Sequence, residues 1–132
     1  MANGLYKLGA KKFLDGGINL LSDTIKVAIV DAASYTPNLT THEFHSDLAG
    51  IIGTPVALGS KTTNLGVFDA ADHTQTSVAA GTYEYLVIYK DTGVSGTSPL
   101  ICIFDTATGL PLTASGGDVT VTWNGSGIFS IA

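Results

Sequence analysis

The stretch Tyr85–Gly109, "YLVIYKDTGVSGTSPLICIFDTATG", decides how the chain is read. Two apolar runs rich in β-branched residues flank a segment of Asp, Thr, Gly and Ser. That is the pattern of strand, turn, strand. Working outward, strands are predicted over Tyr83–Tyr89, Leu100–Phe104 and Asp118–Trp123. A turn at Asn124-Gly125 then leads into Gly127–Ala132. Short strands at this spacing suggest an antiparallel sandwich or barrel.

The same stretch carries Asp91-Thr92-Gly93, the tripeptide that holds the catalytic aspartate of aspartic proteases. A chain of 132 residues is about the size of a protease subunit that completes its site by dimerising. The context argues otherwise. Tyr89-Lys90 precede the triplet where two apolar residues belong, and a lysine beside the dyad would disturb the proton that two close carboxylates share. Ile51-Ile52-Gly53 supplies an apolar-apolar-Gly segment on the wrong side of the triplet. Asp105-Thr106-Ala107 lacks the glycine. Both aspartates end strands, where a carboxylate accepts nearby backbone N–H groups and closes an Asx-turn.

Upstream, "DTIKVAIVD" alternates Ile25, Val27, Ile29 with Lys26, Ala28, Val30 and reads as a strand. "TTHEFHSDLAG" reads as one short additional helix, with a capping box of Thr40 and Glu43 and a stop at Gly50. At the start, Leu5, Tyr6, Gly9 and Phe13 form an apolar helical stripe opposite Lys7, Lys11 and Lys12. Asn3 is the expected N-cap and Gly16-Gly17 the stop. The expectation is one mainly β domain over 1–132, with an N-terminal helical segment over 1–17 and a β-rich body over 18–132.

Hydrophobic residues make up 45% and charged residues 13%, with a mean hydropathy of +0.33. So little charge points to a homo-oligomer, a trimer or dimer, or to a chain docked on a larger body. The candidate contact surface is the N-terminal segment, with Leu5, Tyr6, Lys7, Lys11 and Lys12. Its three lysines precede a remainder with three lysines against eleven acids, and the net charge is −5. The chain has no arginine, which argues against base readout and phosphate clamping, and the acidic balance argues against nucleic acid. No apolar run is long enough to span a bilayer. The N-terminus does not read as a secretory signal, so synthesis in the cytosol is expected.

No cofactor or metal is expected. The single Cys102 excludes a thiolate cage and an internal disulfide, and reads as a small buried hydrophobe. His42 and His45 at i, i+3, with Asp47 and with Asp72 or His73, could in principle hold zinc. The more economical reading is one face of a short helix. No G-x-S-x-G elbow or P-loop lysine occurs. Tyr35, Tyr83, Tyr85, Tyr89 and Trp123 could form an aromatic platform for a glycan or host surface. Strand parity instead places Tyr83, Tyr85 and Tyr89 on one sheet face with Val87, and Trp123 in the core with Val119 and Val121.

The opening "MANGLYKLGAKKFLDGGINLLSDTIKVAIVDAASYTPNLTTHEF" and the closing "YEYLVIYKDTGVSGTSPLICIFDTATGLPLTASGGDVTVTWNGSGIFSI" resemble a family of small structural proteins of tailed bacteriophages. The similarity covers most of the chain. It rests on "MANGLY", "DTIKVAIVD", "THEF", "VIYKDTG", "DTATGLP" and "GGDVTVTW". The resemblance implies a non-enzymatic virion component made in the bacterial host cytoplasm. A capsid decoration or cement protein bound to the major capsid protein is the leading form. A tail or neck component is the alternative.

Overall fold

A computed structural model of the chain describes residues 4–105, 112–123 and 126–130. The strands are β1 (Gly4–Leu5), β2 (Ile25–Val30), β3 (Ile51–Ala57), β4 (Thr62–Asn64), β5 (Val67–Asp69), β6 (His73–Gln75), β7 (Gly81–Tyr83), β8 (Tyr85–Lys90), β9 (Leu100–Phe104), β10 (Leu112–Ala114), β11 (Val119–Val121) and β12 (Phe129–Ser130). One helix, α1, spans Lys7–Leu14. Every strand pairing is antiparallel, and the mainly β expectation holds.

The main sheet has five strands in the order β1-β9-β8-β2-β3 and does not close into a barrel. Three small sheets, β10-β7, β11-β6 and β12-β5-β4, supply the layer that faces it. Between them lie Ile25, Val27, Ile29, Leu86, Ile88 and Ile101 from the main sheet, with Leu58, Phe68, Val78, Tyr83, Leu112 and Val121 from the other side. This is the sandwich core. The opposite face of the main sheet is also buried. Ala28, Val30, Val87, Tyr89 and Ile103 are covered there by Tyr6, Tyr35, Leu39 and Leu48. Burial on both faces explains why β2, β8 and β9 read as nearly continuous apolar runs.

Two irregularities re-aim side chains. In β9 the register shifts between the partners of Ile88 and Tyr89, which pair with Cys102 and Leu100. Ile101 is the extra residue, so Ile101 and Cys102 both join the sandwich core and their alternation is broken. In β3, Gly53, Thr54 and Pro55 stand opposite Ala28 alone, with Gly53 at φ +67°. Proline is tolerated there because the bulge lies on an edge strand.

Three expectations are corrected. First, the N-terminal helix begins at Lys7. Leu5 lies in β1, paired with Cys102, and Tyr6 is an extended N-cap whose N–H donates to Ile101 O at 2.9 Å. The edge of β9 captures these residues before the helix can extend back to them. Asn3 lies outside the described residues. The end is as expected, with Gly17 N–H donating to Lys12 O and Gly16 N–H to Phe13 O, the paired bonds of a Schellman stop.

Second, residues 40–50 form no α-helix, only a single 3-10 turn at His45–Asp47. Asn38 Oδ1 accepts from the N–H groups of Thr40 and Thr41, and Asp47 Oδ2 from those of Glu43 and Phe44. The Thr40–Glu43 box does not form. These side-chain oxygens satisfy the backbone locally, and Glu43–His45 then pairs with Ser98–Leu100. Third, Tyr83 leaves the face of Tyr85 and Tyr89. The strand breaks at Glu84, whose carboxylate accepts the Ala32 N–H at 3.0 Å, and Tyr83 turns into the sandwich core.

Candidate functional site

The N-terminal segment divides into an inner and an outer half. Tyr6 is fully buried, and the half-buried Leu5 packs against the sandwich core. The apolar stripe of α1 is covered by the chain's own sheet. A Cβ on Gly9 would fall 2.0 Å from Leu100 O, so only glycine lets the helix lie this close to β9. Lys7 and Lys11 are exposed. Lys11 pairs with Asp15 at 2.5 Å, a bond that raises the lysine pKa, and the half-buried Lys12 reaches Glu43 at 3.0 Å. Lys12 also lies 5.4 Å over the ring of Phe44. Leu14, beside them, is 89% exposed. The outer half thus carries three lysines, two of them in ion pairs, beside one apolar tip. Lysines in the last turn of a helix are favoured by its dipole.

The Asp91 triplet is a turn. Asp91 Oδ1 accepts the Gly93 N–H at 2.9 Å, which closes an Asx-turn, and Oδ2 pairs with Lys26 at 2.7 Å. The Lys26 ammonium, then the Gly93 amide, hold the carboxyl below its ordinary range. A dyad member shares a proton with a second carboxylate; this one faces a lysine. Beyond it, the hydroxyls of Thr92, Thr97 and Ser98 bond to one another and to Val94 O, which knits the turn shut. The second triplet, at Asp105, runs into residues outside the described set.

His45 Nδ1 lies 2.8 Å from Ser95 Oγ, and its ring stacks 4.7 Å from that of Tyr89. Burial holds the imidazole pKa down, against the pull of Asp91. Serine bonded to imidazole is half of a nucleophile–base pair, and the other half is an acid that orients the ring. Asp91 is the nearby acid, but Lys26 and Gly93 already engage its two oxygens. The His45–Ser95 bond joins two 3-10 turns, His45–Asp47 and Ser95–Thr97.

His42 is turned elsewhere. Its Nδ1 lies 2.7 Å from Tyr35 Oη, which lies 2.9 Å from Tyr6 Oη. Burial drives the pKa of both tyrosines upward, so both remain phenols. His42 and His45 therefore serve separate networks. Asp72 accepts the Trp123 N–H at 2.9 Å. Among the described residues, no three His, Cys, Asp or Glu side chains come together as a metal site.

The aromatic platform is not at the surface. Tyr35, Tyr83 and Tyr89 are each no more than 5% exposed, and Trp123 packs against the sandwich core with Val119. The Tyr6–Tyr35–His42 chain was missed by sequence reasoning, because it joins residues 29 positions apart that share no motif.

No protein-family model matches the chain, and no curated protein matches it.

Proposed function

We propose that the chain is a structural protein of a tailed-bacteriophage virion, a capsid decoration or cement protein that binds the head shell as a homo-oligomer. One observation carries the reading. The two stretches that resemble phage structural proteins supply β1, α1, β2, β8, β9, β10, β11 and β12, and also residues 31–44, which help to cover the outer face of the main sheet. The similar residues thus make four of the five strands of the main sheet, much of its outer cover and one whole strand of each small sheet.

The physical properties fit that role. A cement protein needs a stiff body and a contact face. The main sheet is buried on both sides, which makes the body stiff. The strip of Lys7, Lys11, Lys12 and Leu14, with Asp15 and Glu43 pairing two of its lysines, keeps an excess of one positive charge on a chain of net charge −5, so this face differs in potential from the acidic body. Such asymmetry sets orientation and on-rate more than affinity.

Mass spectrometry of purified virions with a copy count tests the proposal. Hundreds of copies, located on the shell by electron microscopy, are expected. A handful would move the protein to the neck or tail tip, and absence from virions would overturn the reading. Sedimentation at micromolar concentration checks the oligomer separately, and a clean monomer there would sink that part.

A further inference from the structure

The open edge of β4 differs from the other edges of the larger sheets. β1 and β12 are two residues long. β3 is broken by its bulge at residues 53–55, and Gln75 Nε2 donates to Ile52 O at 2.7 Å. Short length, a bulge and a proline keep an edge from pairing with another chain. β4 has no bulge, no proline and no charge. Thr62, Thr63 and Asn64 are all exposed, and β4 is the one strand whose every described residue is so. Among the described residues, its hydrogen bonds are those of its ladder with β5.

The hairpin fixes which groups face outward. Leu65 and Gly66 form a two-residue turn, so Asn64 and Val67 are the hydrogen-bonded pair that closes it. Bonded and non-bonded pairs alternate along an antiparallel ladder, which makes Thr63 and Phe68 a non-bonded pair. Phe68 agrees with this phase, since its O accepts the Ile128 N–H at 2.7 Å on the side of β12. Thr63 therefore turns its own N–H and C=O to the open edge. Its side chain shares a face with Phe68, which is 1% exposed, yet Thr63 itself is exposed. β4 overhangs the rim of the core.

We infer that β4 is a self-association edge, at which two copies of the chain join their three-stranded sheets antiparallel, Thr63 against Thr63 across a two-fold axis. In that register the two Thr63 residues exchange a pair of backbone hydrogen bonds, and Thr62 stands opposite the partner's Asn64. The strand is self-complementary, polar and uncharged. That suits a second copy. Two chains of net charge −5 repel each other, and residues 62–66 let them meet without apposing carboxylates; the flanking residue is Lys61. The contact is isologous and uses each edge once, so it closes at two copies and does not run on into a fibre. A strand pair this short buries less than a standard interface, so association is weak and depends on concentration. The inference rests on the reading of the chain as a homo-oligomer and names one contact within it.

Disulfide trapping on the full chain tests it. Residues in a bonded antiparallel pair have Cα atoms about 5.5 Å apart, within reach of a disulfide. Under mild oxidation Thr63→Cys should cross-link to a dimer at least about ten-fold faster than Thr62→Cys, whose counterpart lies two residues out of register, beyond that reach. It should likewise outpace Thr113→Cys, an exposed position on β10. Cys102 is buried and stays silent. Equal rates at the three positions would overturn the inference. Sedimentation equilibrium of Thr63→Lys supplies a second readout. A lysine at this exposed position should leave the circular dichroism unchanged. It sets two like charges face to face, so the dissociation constant should rise at least about ten-fold. Association as tight as that of the unaltered chain would refute this contact alone. An unaltered chain that stays monomeric at every concentration would refute it together with the homo-oligomer reading.

Discussion

The two faces of the main sheet are buried by different means. On the sandwich face, sheet packs on sheet and most contacts are aliphatic, with Val27, Ile29, Ile88 and Ile101 against Leu58, Val78, Leu112 and Val121 and with Phe68 and Tyr83 as buried aromatics that join them. On the other face, the cover over residues 31–50 contains no regular strand or α-helix, and it adds hydrogen-bonded tyrosine contacts to those of Leu39 and Leu48. Backbone ladders satisfy the first layer. Side-chain oxygens of Asp31, Asn38 and Asp47 satisfy much of the second, with bonds to Ala33, Thr40, Thr41, Glu43 and Phe44. Hydrophobic area is insensitive to pH, while carboxylates, hydroxyls and imidazoles are not. The sandwich face should therefore set global stability, and the loop face should set how stability responds to conditions.

The largest effect that can break this comparison is removal of residues 2–12. Those residues carry β1, the buried Tyr6 and Gly9 at its contact with β9. The truncated chain should lose its cooperative unfolding transition. A truncated chain that keeps the transition and fails only to self-associate would make the segment an accessory contact arm.

Next is Ile88→Ala, in the sandwich core and fully buried. It should cost about 2–5 kcal/mol in denaturant unfolding, as large-to-small core changes do. A cost no greater than that of Tyr35→Phe, which removes two hydrogen bonds worth about 0.5–1.5 kcal/mol each, would show that the two faces are not divided as described.

Acid gives an intermediate effect. Asp23, Asp47 and Asp91 are all held below the ordinary carboxylate range. For Asp23, bonds from the Asn19 amide and Lys90 prevail over burial, for Asp47 the donors are the Phe44 and Glu43 amides, and for Asp91 Lys26 comes first. A depressed folded-state pKa contributes stability above the unfolded value and loses it as pH falls through the folded one. Melting temperature should thus decline below about pH 4. Asp91→Asn should remove part of that decline. It keeps the acceptor for the Gly93 N–H and loses the Lys26 pair, a change of at most about 1 kcal/mol at neutral pH. An acid profile unchanged in Asp91→Asn would mean that the pair adds nothing.

The smallest effect is a gain. β4 and β5 are joined by Leu65 and Gly66, both at positive φ, a two-residue hairpin turn that favours Asn-Gly. Leu65 is 88% exposed. Its left-handed backbone costs roughly 1–2 kcal/mol against an extended one. Leu65→Asn should raise the melting temperature slightly, sharpening the view that the sandwich layer has slack at its rim. A fall would mean that the leucine makes a contact that stabilises the fold.

How much could be read in advance follows the same division. β2, β8 and β9 were legible because burial on both faces writes itself as long β-branched runs. The Asx-turn at Asp91 was legible because donor and acceptor lie two residues apart. Residues 40–50 misled, because helix periodicity and a capping pattern say nothing of competing bonds from Asn38 and Asp47. Tyr83 misled, because the break at Glu84 depends on Ala32, 52 residues away. Leu5 and Tyr6 fit a helical stripe, and the edge of β9 took them instead. Local bonds are visible in a sequence, whereas bonds that close across the fold are not.

Cys102 carries a last consequence. It is the only sulfhydryl of the chain, it sits in the second-to-edge strand at 2% exposure, and burial pushes its pKa well up. A thiol reagent can reach it only when that strand leaves its neighbours. The protein therefore contains its own stopwatch: the rate at which the thiol is modified, at saturating reagent, is the rate at which the main sheet opens. Any cross-link found through this sulfur would date from a moment when the chain was open.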